Sequence, residues 1–424
     1  MADAAVDTDE PRIVLVGATI TGNRGAESML RAALQRIPEF EPDARFTLLS
    51  LYPQDDMAEN DDPDLRIVPF SPLHLVLVAF PLAILAGTLA RMHLPYRFLL
   101  RTRSLQAIDN ADLMIDLSGI SFVDGRGAIL LYNVLLVLLP VALRTPLMKY
   151  AQALGPFHKR LNRFCARWLL PKVATIAARG RVTRSFLDEL KLPPDAVELC
   201  TDAAIAMQVG PHAHQAIEPM LQEPLFQRPV VGVSASSVVH KLCLKRGLDY
   251  PEMMATFIRF LMEKGYNVCL LAHSARPGRT SAKNNDLPVC RQIATAVSRP
   301  ECVFPDQALS AEALRALIGE CRFLVAARFH AMISGLAVGV PTMQVGWSHK
   351  YAEVLEIFEL EEYALDYAKL SEHGLREMFE HLERDEQQVR ERISRHLPAA
   401  KEASLKNARL AAALLAQCRR PAVA

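Results

Sequence analysis

Two short apolar runs, "RIVLVGA" at 12–18 and "PVVGVSA" at 229–235, constrain this chain more than any other feature. Both are compact, rich in β-branched residues and closed by small ones, as buried parallel strands are. Each opens a series in which strand-like and helix-like segments alternate. After the first come strand patterns at Phe46–Leu51, Leu113–Leu117, Leu147–Ala153 and Val173–Ala178, with helical periodicity in Gly25–Ile37 and "RSFLDELKL". After the second come helices at Tyr250–Lys264 and Ala311–Glu320, and strands in "NVCLLAHSA", "FLVAARFH" and "PTMQVGW". Such alternation builds βαβ units on a parallel sheet, and 424 residues exceed what one ordinary core holds. The expectation is an α/β chain of two domains of similar size facing one another, with the cleft between them as the default site.

The polar, proline-containing stretch that runs to Arg228 marks the boundary. It predicts a linker at 211–228, between an N-terminal domain at 1–210 and a C-terminal domain at 229–398. Charged amphipathic helices at Ser371–His396 and Ala399–Cys418 close the chain, the second heading a terminal segment at 399–424.

Composition excludes several function classes. With 48 basic and 47 acidic residues the net charge is +1, so no global field attracts nucleic acid. The eight cysteines form no C-x-x-C pair, which argues against a disulfide framework or a zinc site. The acidic start, "MADAAVDTDEPR", lacks the apolar centre of a secretory signal. A reducing, cytoplasmic location is expected. Leu73–Ala90 complicates this, because about 18 nearly uncharged residues approach spanning length. Pro81 interrupts the run, and strands lie on both sides of it. Two readings stay open: a buried core helix, or a helix lying on the inner face of the plasma membrane beside Arg91, Arg97, Arg101 and Arg103.

Candidate functional residues gather where strands end, the place where ligands bind in open α/β sheets. In "GATITGNRGAES", Gly25 and its neighbours allow close backbone approach at a helix start, while Asn23 and Glu27 add polar groups a plain turn does not need. The glycine spacing fits neither the dinucleotide nor the P-loop fingerprint. "DLSGISFVDGRG" sets Ser118, Gly119 and Asp124 beyond another strand. "AARGRVTRSF" does the same for Arg179 and Arg181, whose planar forks suit carboxylate or phosphate. His273 ends a strand in the second half. Arg328 and His330 of "ARFH" stand alone in apolar surroundings at a strand-to-helix junction. Two positions apart, they would project to one face in extended chain, and a buried arginine needs an anion.

"GNRGAE", "DLSGISFVDGRG", "YAQALGPF", "ARFHAMISGLAVGVP" and "WSHKY", in this order and spacing, resemble the polysaccharide pyruvyl transferase family over most of the chain. The resemblance implies a GT-B-like fold, with the acceptor on the N-terminal and the donor on the C-terminal domain. It implies transfer of pyruvyl from phosphoenolpyruvate to two hydroxyls of a sugar or lipid-linked oligosaccharide, giving a ketal and phosphate, without cofactor or metal. Arg328 and His330 would then be the donor-binding and catalytic pair. Arg179 or Arg181, with His273, would add donor contacts, and Ser348 and Lys350 are further candidates. Gly180 departs from the acidic residue many members carry there, and "SGIS" departs from a run of glycines. The alternatives are a GT-B glycosyltransferase using a nucleotide sugar, or a non-catalytic, membrane-associated subunit of a polysaccharide assembly system.

Overall fold

The computed structural model describes residues 10–125, 127–276, 284–346 and 349–418. Two compact units divide the chain. One comprises 1–20, 29–203 and 403–424, and the other 21–28 and 204–402.

In the first unit, β1 (Arg12–Val16), β2 (Arg45–Ser50), β3 (Arg66–Pro69), β4 (Leu113–Asp116), β5 (Ile120–Ser121), β6 (Leu147–Leu154), β7 (Thr175–Arg179) and β8 (Val197–Cys200) form one sheet. Its order is β3-β2-β1-β4-β6-β7-β8, with β5 on β6, and the pairings are parallel. β1 places Ile13 beside both Phe46 and Leu113. The strand reverses its neighbours there, so the order changes direction between β1 and β4. One core joins Val14, Val16 and Met114 of the sheet to helices Pro72–Arg91, Gly127–Leu143 and Arg160–Leu169. These strands read as near-continuous apolar runs because helices cover them.

The second unit holds β9 (Val230–Ala235), β10 (Asn267–Ala272), β11 (Cys302–Val303), β12 (Phe323–Ala326), β13 (Thr342–Gly346) and β14 (Ala364–Asp366). Their order is β11-β10-β9-β12-β13-β14, the Rossmann arrangement, with its switch point between β9 and β12.

Three expectations about organisation need correction. The predicted linker is partly helix Pro211–Leu221 inside the second unit. Pro211 sits at the first helical position, where no N–H is needed, and Ala213 and Ile217 bury one turn apart. The N-terminal unit is not 1–210, since it excludes 21–28 and regains 403–424. The closing helices are Glu372–Arg384 and Glu386–Cys418. Their boundary falls at Asp385 instead of near Pro398, which continues inside the longer helix. The eight cysteines are free.

Candidate functional site

In the second unit the carboxyl ends of β9, β10 and β12 gather a polar cluster. Arg328 precedes helix Phe329–Ala337 with extended backbone, φ −123° and ψ 136°. Its Nε donates to Asp286 Oδ2 at 2.9 Å, and Nη2 to Oδ1 at 2.5 Å and to Ser237 Oγ at 3.2 Å. Asp286 also accepts from the backbone N–H of Ser237 at 2.8 Å and of Ser274 at 3.0 Å. Burial pushes the Arg328 guanidinium down, but the Asp286 carboxylate outweighs it and leaves the pKa raised. The anion this arginine required is therefore internal. Its side chain keeps 19% exposure, and Nη1 makes no protein hydrogen bond among the described residues.

The expected common face of Arg328 and His330 does not form. β12 stops at Ala326, and the Arg328 carbonyl already accepts helical hydrogen bonds from Ala331 and Met332 at 3.1 and 3.2 Å. His330 thus lies in the first helical turn, edge-on to Phe329 with ring centroids 5.1 Å apart. Its imidazole packs on the backbone of Gly25, where an added Cβ would sit 2.2 Å from Nδ1. The "GNRG" and "ARFH" motifs meet here because residues 21–28 belong to this unit.

Around Gly25 the loop is fastened from several sides. Asn23 Oδ1 accepts from the N–H groups of Gly25 and Ala26 at 3.1 and 3.4 Å, capping helix Arg24–Arg36. Buried Arg24 donates from Nη1 to Glu27 Oε2 at 2.7 Å, and the same oxygen accepts from Ala311 N–H at 3.1 Å. Glu27 thus braces the loop against the start of helix Ala311–Gly319. The Arg24 N–H donates to the His273 carbonyl at 3.1 Å. His273 itself is buried, with Nδ1 3.4 Å from Ser234 Oγ. Burial, then the charges of His330, Arg328, Arg24 and Arg315, push its pKa down to about 3. It supplies no positive charge at neutral pH.

The first unit holds a second cluster. Lys149 Nζ donates to Asp116 Oδ2 at 2.6 Å, both side chains being buried. Ser118 donates to Asp116 Oδ1 from Oγ at 2.5 Å and from its N–H at 2.9 Å. Burial raises the Asp116 carboxyl, but Lys149 and Ser118 outweigh it and hold it below the ordinary range. Gly17, with φ +82°, makes room: an added Cβ would lie 2.3 Å from Ser118 Oγ. Gly119, at φ +66°, would bring a Cβ 3.9 Å from Arg179 Nη1.

Arg179 ends β7 buried, with Nη1 donating to Asp202 Oδ2 at 2.8 Å. Arg181 opens helix Arg181–Asp188 and is exposed. Between them Gly180 has φ +91° and ψ 169°, which an acidic residue would adopt only under strain. Asp124 accepts from the N–H groups of His158 and Lys159 at 2.7 and 3.0 Å, and from Asn162 Nδ2 at 2.9 Å. It anchors the approach to helix Arg160–Leu169. Ser348 and the side chain of Lys350 lie outside the described residues.

Sequence reasoning missed the partners: Asp286, Ser237, Lys149 and Asp202. Asp286 carried a signal, since "NDLP" reads as a helix start. That it would hold Arg328, 42 positions away, is a tertiary fact.

The family model for polysaccharide pyruvyl transferase matches residues 23–349. Among solved structures, a putative UDP-N-acetylglucosamine 2-epimerase from Listeria monocytogenes is 13% identical over 96% of each chain, with a TM-score of 0.62. The Neisseria meningitidis UDP-GlcNAc 2-epimerase, solved with UDP-GlcNAc, is 11% identical over 96% of this chain and 100% of its own, at 0.58. Anabaena HepE, solved with UDP and glucose, is 12% identical over 96% of this chain and 100% of its own, at 0.52. At these identities the likeness establishes the fold, which is of the GT-B class. Because the family match runs from the loop at Asn23 through Arg328 and His330 to His349, the chain belongs to the polysaccharide pyruvyl transferase family.

Proposed function

We propose that this chain is a ketal pyruvyl transferase that takes its pyruvyl group from phosphoenolpyruvate and places it on two hydroxyls of a sugar. The observation that carries the reading is the junction of His330 with the backbone of Gly25, beside an arginine fixed by Asp286. Nη1 of Arg328 faces the donor's anionic group. A guanidinium locked in place loses little freedom when an anion arrives, so the contact is pre-organised.

His330 is the general acid. It delivers a proton to the donor's methylene carbon while the first sugar hydroxyl attacks the adjacent carbon. Phosphate then leaves with the electrons of its C–O bond, and the second hydroxyl closes the ring. The two hydroxyl protons are accounted for, one in the new methyl group through the imidazole and one on the departing phosphate. A bound phosphate favours the protonated imidazole the step requires. Of the acceptors the family suggests, a sugar or a lipid-linked oligosaccharide, we favour the lipid-linked one, with the enzyme at the cytoplasmic face of the membrane.

The test is phosphate release from phosphoenolpyruvate with a panel of lipid-linked sugars, and calorimetry with phosphoenolpyruvate against UDP-sugars. Release dependent on acceptor is expected. Tight binding of a UDP-sugar, with none of phosphoenolpyruvate, would favour a glycosyltransferase of the same fold. The solved relatives named above with UDP ligands motivate that control.

A further inference from the structure

We infer that one helix layer of the first unit is a peripheral docking surface for an anionic lipid bilayer, built from helix Pro72–Arg91 and helix Arg160–Leu169. The inference rests on the reading that the acceptor is lipid-linked.

Helix Pro72–Arg91 is, among the described residues, the one helix long and apolar enough to cross a membrane, yet it is tied into the unit. Its buried stripe, Leu75 followed by the small Ala79, Ala83 and Ala86, faces the core, with Phe80 and Leu82 packed beside it. Gly87 packs so closely on helix Gly127–Leu143 that an added Cβ would lie 2.2 Å from the Ala142 carbonyl oxygen. The opposite side carries no polar face. Leu73 and Leu77 are 73% and 69% exposed, and Ile84 and Leu85 are exposed with them. An ordinary surface helix turns charge to water there. This one exposes large aliphatic residues, while most of its fully buried residues are small.

Helix Arg160–Leu169 supplies the second element, which its short length conceals in the sequence. It packs on helix Gly127–Leu143, as does Pro72–Arg91, and all three join the same core. Its outer side interleaves Arg160, Arg163 and Arg167 with Leu161, Phe164 and Trp168, and Leu161 and Phe164 are each 66% exposed. Lys172 lies over the Trp168 ring at 5.6 Å. Apart from Phe40, Met57, Leu199 and Leu244, every exposed large hydrophobic side chain among the described residues belongs to these helices or the segments beside them. So concentrated an apolar surface marks an interaction site.

Charge identifies the occupant. No Asp or Glu occurs between Asp64 and Asp109, or between Asp124 and Asp188. Arg97, Arg101 and Arg103 are exposed beside the first helix, as Lys159 is beside the second. A second copy of this face would bring cations against cations. A bilayer with anionic headgroups takes the arginines at its surface and the leucine, phenylalanine and tryptophan side chains just beneath.

The experiment is co-sedimentation of the full chain with vesicles of phosphatidylglycerol and phosphatidylcholine, or of phosphatidylcholine alone. Binding to the anionic vesicles, reversed by high salt, is expected. Arg160→Gln with Arg167→Gln should weaken it about thirtyfold, at roughly one charge contact each. Phe164→Ser with Trp168→Ser should weaken it as well, and both variants should keep turnover on a water-soluble sugar acceptor. No vesicle binding, or wild-type binding by both variants, would overturn the surface. So would resistance of the bound protein to carbonate extraction, or self-association that Phe164→Ser with Trp168→Ser abolishes in the absence of vesicle binding. Vesicle binding with no turnover on any acceptor would instead count against pyruvyl transfer and leave the surface standing.

Discussion

His330→Ala removes the proposed proton donor while deleting a half-buried ring at a helix start, so the fold should survive. Turnover should fall by a factor of about 10²–10⁴, and the alkaline limb of the rate profile should vanish. A folded variant with normal turnover would make His330 structural. Arg328→Ala acts in two ways, because Asp286 is fully buried against it. It should weaken phosphoenolpyruvate binding and also destabilise the unit by about 3 kcal/mol, since a buried carboxylate loses its partner. Adding Asp286→Asn should restore melting temperature without restoring donor affinity. Recovery of both would mean that the arginine serves only the fold. His273 behaves differently. Its pKa is about 3 when folded, against about 6.5 when exposed, so between these values the unfolded chain binds the extra proton. Stability should therefore rise with pH across that window, and fall by about 1.4 kcal/mol per unit as acid is added. Thermal melts of His273→Gln between pH 4 and 7 should have a shallower slope than the wild type.

At the scale of elements, the strand-to-helix junctions do the work. Helix Arg24–Arg36 starts beneath Asn23 and presents Gly25 as a flat seat for the His330 ring. Alanine is normally the better helix residue by about 1 kcal/mol. At this position its methyl would meet Nδ1 at 2.2 Å, so either the ring or the helix must move. Gly25→Ala should lower turnover at least tenfold while leaving thermal stability within about 1 kcal/mol, the two effects of helix propensity and crowding offsetting each other. Activity equal to wild type would show that the seat is not needed. Helix Arg160–Leu169 illustrates a junction used differently. Asp124, expected to face a ligand, spends both oxygens fastening the chain just before that helix.

For the molecule as a whole, a net charge of +1 conceals strong local segregation. The acid-free stretches fall together in the first unit, whereas cation–carboxylate pairs, Lys149–Asp116, Arg179–Asp202 and Arg328–Asp286, organise the strand ends of both. With guanidinium groups available to neutralise the donor and an imidazole to protonate it, turnover should need no divalent ion. No group of three or more His, Cys, Asp or Glu side chains among the described residues is arranged to hold one. Dialysis against a chelator should leave the rate of phosphate release unchanged. A loss reversed only by adding a divalent cation would replace this mechanism with a metal-assisted one.

Local pattern alone determined the parallel strands, the helices between them and the motif-bearing junctions, because β-branched runs and helical periodicity act over a few residues. Arg328 and His330 were legible as an unusual pair for the same reason. The tertiary structure decided who meets whom. It chose Asp286 as the partner of Arg328, carried Thr21–Ser28 into the second unit to seat His330, and turned "HAHQAIEPML" from an expected linker into a helix. It also decided which face of helix Pro72–Arg91 is buried, leaving Leu73, Leu77, Ile84 and Leu85 exposed. Period and composition say that a segment is apolar or charged, but only packing through space determines which face is covered and which charge is neutralised, since those partners lie tens of residues apart.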